Sequence, residues 1–185
     1  MSEAGEIRIH PEPTPNPMTM KLISDRTVLE TGSADFPSVQ SAAGSPLAEK
    51  LFQIPGVAGV YVGRDFVTIT KNDLSAWNNI VELAIDGLRS HLASGEPAVG
   101  ESQTAHGADD NETAQRVREI LDNEIRPAVA MDGGDITFVD YKDGVVRLSM
   151  RGACAGCPSS TMTLKMGIER RLQEEIPEIE AVEAV

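Results

Sequence analysis

The chain is 185 residues long, 41% hydrophobic and 24% charged, and its 16 Lys and Arg face 29 Asp and Glu for a net charge of -13. That length allows one large domain or two small ones, and an aromatic content of 4% leaves the cores to Val, Ile, Leu, Ala and Met. The acidic balance repels phosphate backbones and anionic lipid, which argues against nucleic acid and membranes as partners, and no stretch approaches the roughly 20 apolar residues needed to cross a bilayer.

Residues 1–6 lack the basic and apolar regions of a signal peptide and are acidic and Arg-poor, unlike a mitochondrial transit peptide. Together with two closely spaced cysteines, this leads to the expectation of a reducing compartment, the bacterial cytoplasm. Asn111-Glu112-Thr113 matches a glycosylation acceptor, a match without meaning in that setting.

Along the chain, Ile7 and Ile9 alternate with polar neighbours, and a Pro-rich stretch over residues 11–17 precedes a second expected strand at 18–23. Residues 46–53 read as a short helix. The β-branched runs 57–62 and 66–70, joined through Gly63-Arg64-Asp65, read as a hairpin. Trp77, Ile80, Val81, Ala84, Ile85, Leu88 and Leu92 then fall at helical spacing, so a helix from about Ser75 buries one face, with Trp77 as a packing anchor. Thr14-Pro15-Asn16-Pro17 is held extended by its prolines, and no chemistry is assigned to it.

Residues 94–111 are small, acidic and without apolar periodicity, the composition of an exposed linker. They divide the chain into 1–93 and 112–185. The second segment opens with Val117, Ile120, Leu121 and Ile125 on one helical face, with Asn111 as its N-cap and Pro127 near its end. Strands follow at 136–141 and 145–150 around the Asp143-Gly144 turn, then a helix through Leu164, Ile168 and Leu172 that stops before Pro177, then a last strand at 179–185. The expected fold is α+β: two small domains that each layer helix on sheet, the second in the order α-β-β-α-β.

The two cysteines, Cys154 and Cys157, stand at the strand-to-helix junction of that second segment, with Gly152 and Gly156 beside them and Pro158 next. Pro158 suits the first position of a helix. The free amides and positive end of that helix are expected to favour thiolate at both cysteines, and thiolates facing open space bind soft metals. A thioredoxin-like dithiol shares the spacing, but here the proline follows the pair instead of separating it. Structural zinc needs four Cys or His ligands, and His10, His91 and His106 all lie outside the segment. An iron–sulfur cluster also takes four thiolates as a rule. One chain has two, so either other thiols complete the site or two chains meet at their cysteine loops and share a site on the axis of a homodimer.

Several other features have simpler readings. Asp132 and Asp135 around Gly133-Gly134 read as a turn into the next strand. Arg151, Lys165, Arg170 and Arg171 could balance an anionic cluster or be solvated helix charges. Met162 and Met166, at i and i+4, read as core.

Met131-Asp132-Gly133-Gly134-Asp135 followed by Gly152-Ala153-Cys154-Ala155-Gly156-Cys157-Pro158-Ser159-Ser160-Thr161 resembles the C-terminal domain of NifU, shared by the Nfu-type iron–sulfur scaffold proteins. Thr14-Pro15-Asn16-Pro17, Met20-Lys21, Gly56-Val57 and Val60 resemble the N-terminal domain that accompanies it in Nfu proteins. The resemblance implies a non-enzymatic carrier that assembles a 4Fe-4S cluster, with 2Fe-2S also open, and transfers it to apo iron–sulfur clients. It further implies Cys154 and Cys157 as ligands, a cluster-bridged homodimer as the loaded form, and upstream cluster-assembly proteins as donors. The separate cysteine-bearing scaffold domain and the ferredoxin-like domain of full-length NifU have no counterpart in the sequence, so general maturation, not nitrogenase work, is implied. A thiol-disulfide oxidoreductase and a plain interaction adaptor are the alternatives.

Overall fold

A computed structural model describes residues 6–100, 112–155 and 158–185. The chain divides into two compact units, Met1–Thr104 and Ala105–Val185.

The first unit is a five-stranded antiparallel sheet built from β1 (Ile9–Pro13), β2 (Thr19–Ser24), β3 (Ala34–Phe36), β4 (Val57–Val62) and β5 (Phe66–Lys71), in the order β1-β2-β5-β4-β3. The 57–62 and 66–70 runs pair as expected, Val62 opposite Val67 and Val60 opposite Ile69. Period-two alternation puts Leu22, Val60, Val62, Val67 and Ile69 on one face, where α1 (Pro46–Phe52) and α2 (Trp77–Ser94) bury Leu47, Leu51, Ile80, Ala84 and Leu88 with them. At about 25 cal/mol per Å² of apolar surface, this burial is the main stabilising term.

Two details depart from the sequence pattern. β1 runs through Pro11 and Pro13, which were expected to lie outside a strand. It is an edge strand, and there a missing N–H costs no ladder bond on its open side. β3 has only three residues, too few for a pattern, yet Ala34 and Phe36 are both buried. Trp77 packs against the core as expected, and its indole N–H donates to the Pro17 carbonyl at 3.2 Å. The Thr14-Pro15-Asn16-Pro17 stretch is a self-bonded turn: the Asn16 Oδ1 accepts from the Met18 N–H at 3.0 Å and the Thr14 hydroxyl donates to the Asn16 carbonyl at 2.9 Å. Within the segment whose composition reads as a linker, Ala98 and Val99 are buried against this unit, and the Ser45 hydroxyl donates to the Ala98 carbonyl at 2.6 Å.

His91, on α2, is 1% exposed. Burial first, and then the Lys50 ammonium, hold its pKa below the usual 6.5, with Glu96 opposing; Glu30 faces the same region from the segment before β3. The unfolded chain therefore binds this proton more readily than the folded one. Stability contributed by the neutral ring is present above pH 6.5 and is lost as pH falls through 6.5 towards the lower folded value. Urea denaturation across this range should show the decline, and His91→Gln should flatten it.

In the second unit, α3 (Glu112–Ile120) continues through a π-type segment, Leu121–Ile125, into α4 (Arg126–Met131). Pro127 lies near the end of this helical run, as expected, and the helix continues through it to Met131. The Arg126 N–H reaches back to the Leu121 carbonyl, five residues away, and this wider turn accommodates the proline. β6 (Gly134–Lys142) and β7 (Val145–Gly152) form the expected hairpin at Asp143-Gly144, α5 (Pro158–Glu175) crosses over, and β8 (Ala181–Ala184) pairs parallel to β7. The α-β-β-α-β order holds. Val117, Leu121, Ile136, Val146, Leu148, Ile168, Leu172 and Val182 form the core.

Candidate functional site

The site is assembled where the two ends of the β6–β7 hairpin come together. Antiparallel register sets Gly134 opposite Gly152 and Asp135 opposite Arg151. The loop entering β6 therefore lies beside the turn leaving β7, and the Ala153 N–H donates to the Gly133 carbonyl at 3.1 Å to join them.

On the first side, α4 ends because Gly133 takes φ of 76°, while the N–H groups of Asp132 and Gly133 close onto Val129 and Ala130. A left-handed residue just after a helix is most easily glycine. Asp132-Gly133-Gly134-Asp135 is thus a structural turn, as read from the sequence. Its two glycines, however, do different work. Gly134 is needed for space: a Cβ there would stand 2.2 Å from the Cys154 Sγ and 3.0 Å from the Cys154 amide nitrogen.

On the second side, Gly152 at φ of 60° starts a tight turn in which the Cys154 N–H donates to the Arg151 carbonyl at 3.3 Å. The Thr161 hydroxyl, on the first turns of α5, donates to the Cys154 carbonyl at 3.3 Å. Cys154 is a free thiol, 8% exposed, packed into the core of the second unit. Its partner in sequence, Cys157, lies outside the described residues, and α5 starts at Pro158 as expected.

Cys154 corrects one expectation. A helix end was expected to favour its thiolate, but burial, followed by the negative charges of Asp132 and Asp135, pushes its pKa up to about 11. Withdrawal from water and two neighbouring carboxylates outweigh the helix end.

Asp135 is 3% exposed and accepts a two-pronged hydrogen bond from the Arg126 guanidinium, at 2.7 and 3.0 Å; Arg126 also reaches Asp122 at 2.8 Å. The Asp135 hydrogen bonds, ahead of the other influences, raise the Arg126 pKa. This pair locks the start of α4 to the start of β6 and so fixes the intervening loop against Cys154. Sequence reading missed Arg126. The available signal was an arginine within one helical turn of Pro127 and close upstream of an acidic, Gly-rich turn.

The other candidates separate. Arg170 pairs with Glu174, and Arg171 pairs with Glu124 and Glu175, so both are engaged by carboxylates away from the cysteine turn. Met162 and Met166 are 67% and 64% exposed, not core: i, i+4 spacing shows a shared face, and on α5 the buried face belongs to Ile168 and Leu172. Among the described residues no group of three or more His, Cys, Asp or Glu is placed to hold a metal ion.

The sequence models of two families match the chain: a NifU-like domain over residues 117–183, and the N-terminal domain of the scaffold protein Nfu/NifU over residues 9–95. Human NFU1 iron-sulfur cluster scaffold homolog, mitochondrial, is 44% identical over 181 residues, covering 96% of this chain and 71% of the relative. The chain belongs to the Nfu/NifU family. NifU-like protein 4, mitochondrial, of Arabidopsis thaliana is 44% identical over 95% of the chain and 65% of its own length, and the Drosophila ananassae NFU1 homolog is 43% identical over 100% and 66%. The Nfu-family chain thus spans about two thirds of the length of these relatives. A solution NMR structure of a NifU-like protein from Saccharomyces cerevisiae, 28% identical, superposes on 55% of the chain and 92% of its own with a TM-score of 0.50.

The relatives are named as mitochondrial, in plant, fly and human, and this overturns the expectation of a bacterial cytoplasm. Cysteine spacing reports a reducing milieu, not the membrane that encloses it.

Proposed function

We propose that this Nfu-family chain is an iron–sulfur cluster scaffold and carrier. Two copies hold one 4Fe-4S cluster as cargo through Cys154 and Cys157 of each, and pass it to apo iron–sulfur proteins after receiving it from upstream assembly proteins. The observation that carries this reading is the chain's two cysteines, which stand beside Gly152 and Gly156 in the sequence of a NifU-like domain. Soft thiolate donors suit iron and sulfide, and a site that needs thiols from a second chain can release its cargo to a recipient's thiols without being dismantled within one protomer. The role is that of a carrier, not a catalyst. Cys154 is tucked against Gly134, so loading draws it out of the core.

In this reading residues 112–185 hold the cluster, residues 1–93 form the accompanying domain and residues 94–111 join them. Anaerobic reconstitution with ferrous iron and sulfide should give a brown protein with about four iron and four sulfide per dimer, whose mass in solution doubles on loading. A colourless protein with tightly bound zinc would overturn the reading. Cys154→Ala should reduce bound iron to background while circular dichroism stays unchanged, because a Cys-to-Ala change removes only one buried sulfur, worth about 1 kcal/mol.

A further inference from the structure

The half of α5 next to the cysteine turn has two properties that its own fold does not require. The first is a lack of charge. Residues 158–167 carry one charged side chain, Lys165, whereas residues 168–175 carry five, Glu169, Arg170, Arg171, Glu174 and Glu175. Met162 and Met166, one helical turn apart, are exposed on the uncharged half, where the solvent side of a helix is ordinarily polar.

The second is Gly167. It stands inside an 18-residue helix, a position where glycine costs about 1 kcal/mol relative to alanine. At Gly134 a Cβ would strike Cys154, but at Gly167 nothing among the described residues lies within 4 Å of where a Cβ would stand. No contact within the described chain therefore calls for glycine there. A bare glycine on an exposed helix face lets another backbone come close, and the distance between packed helices is set by the side chains at their contact. Flexible methionines beside such a gap can fill around an incoming helix.

The occupant follows from the proposed function, on which it depends. With Cys154 and Cys157 as half of a site shared by two chains, both cysteine turns lie at a two-fold axis, and α5 begins at that turn. At 1.5 Å per residue, Met162 and Met166 stand only about 6 and 12 Å along the helix from Pro158. A two-fold axis sets the same patch of each copy against itself. Each copy carries a net charge of -13, so most of its surface repels a second one, and the uncharged half of α5 is where two copies approach without that penalty.

We infer that Met162, Met166 and Gly167 form a helix-to-helix contact with the same face of α5 in a second copy of this chain. Protein surface, and not the cluster alone, then holds the loaded dimer together.

Sedimentation equilibrium of the full-length chain without iron tests this. Expected is weak, reversible dimerisation with a dissociation constant of about 0.1–1 mM, as suits a small contact. Met162→Glu combined with Met166→Glu should weaken it about tenfold or more. Leu83→Glu, a like change at an exposed apolar position on α2, should leave it unaltered. Gly167→Ile should hold or raise the melting temperature, because isoleucine is the better helix former, and still weaken the dimer. That combination separates a lost contact from a lost fold. An unaltered chain that stays monomeric at millimolar concentration overturns the proposal and leaves the face to a recipient protein. Unchanged dimerisation in either α5 variant overturns it as well. The readout contains no iron, so the cluster reading fails separately: a chain that dimerises through α5 yet binds no iron and sulfide keeps this interface and loses the cargo.

Discussion

Replacing Gly134 with Ala is expected to destabilise the second unit by about 1–3 kcal/mol, the range for overpacking a filled site, and to lower cluster loading with it. The added Cβ would meet the Cys154 Sγ at 2.2 Å, its Cβ at 3.1 Å and its backbone nitrogen at 3.0 Å. A side chain can rotate away, but the backbone nitrogen cannot, because the Cys154 N–H is bonded to Arg151 and the adjoining Ala153 N–H to Gly133. The strain therefore falls on the turn that carries the thiol. For a domain of this size the loss corresponds to a drop of about 4–8 °C in melting temperature per kcal/mol. A second readout separates displacement from plain instability: in a Cys157→Ser background, apo protein carrying Gly134→Ala should alkylate faster at Cys154, which is otherwise only 8% exposed. Gly133 provides the contrast. Its requirement is conformational, φ of 76°, so Gly133→Asn should be tolerated better than Gly134→Asn, since asparagine enters the left-handed region readily and still carries a Cβ. If the two positions respond alike, the spatial role assigned to Gly134 fails.

The contrast between these neighbouring glycines shows where sequence stops informing. Long periodic runs announce themselves: the 57–62 and 66–70 hairpin, α2 with its stripe through Leu88, and α5 with Ile168 and Leu172 all follow from a period of two or of 3.6. The cysteine pair, its glycines and Pro158 are equally local, and the proposed site is read from them. Features set by distance in space were not legible. Nothing in the order of residues tells that Gly134 will face Cys154, because that depends on the register of β6 against β7. The acidity of Cys154 was misjudged for the same reason. A helix end is visible in sequence, but burial and the approach of Asp132 and Asp135 are products of the fold. Pro127 is intermediate: its place near the helix end was legible, but the π-type turn that lets the helix run through it was not. Met162 and Met166 share a face by spacing, but which face a helix turns inward is decided by its neighbours.

Asp135→Asn should have the largest effect of any substitution that leaves the cysteines in place. The Asp135 carboxylate is almost fully buried, and both its oxygens are bonded by the Arg126 guanidinium, whose side chain is 32% exposed. Removing one member of a buried pair leaves the other charge short of a partner and costs about 3–5 kcal/mol when both are buried. Partial exposure of Arg126 and its second bond to Asp122 place the expected loss lower, at about 2–4 kcal/mol. Asparagine keeps the shape but replaces one acceptor oxygen with an amide that points N–H groups at guanidinium N–H groups. Of the two effects, lost charge and lost fit, the double-mutant cycle with Arg126→Met isolates the pairwise part, expected at about 1–3 kcal/mol for groups in direct contact. The pair also bridges α4 to β6 across the loop that contains Gly134, so the single variant should load less iron even under conditions where circular dichroism still shows a folded second unit. Arg126→Met paired with Asp135→Leu offers the decisive comparison. Replacing a buried ion pair by apolar groups of similar volume is often neutral for stability, so a double variant that melts normally yet loads poorly would show that the pair positions the Cys154 turn beyond merely holding the fold. Normal loading in that variant would reduce the pair to a structural tie.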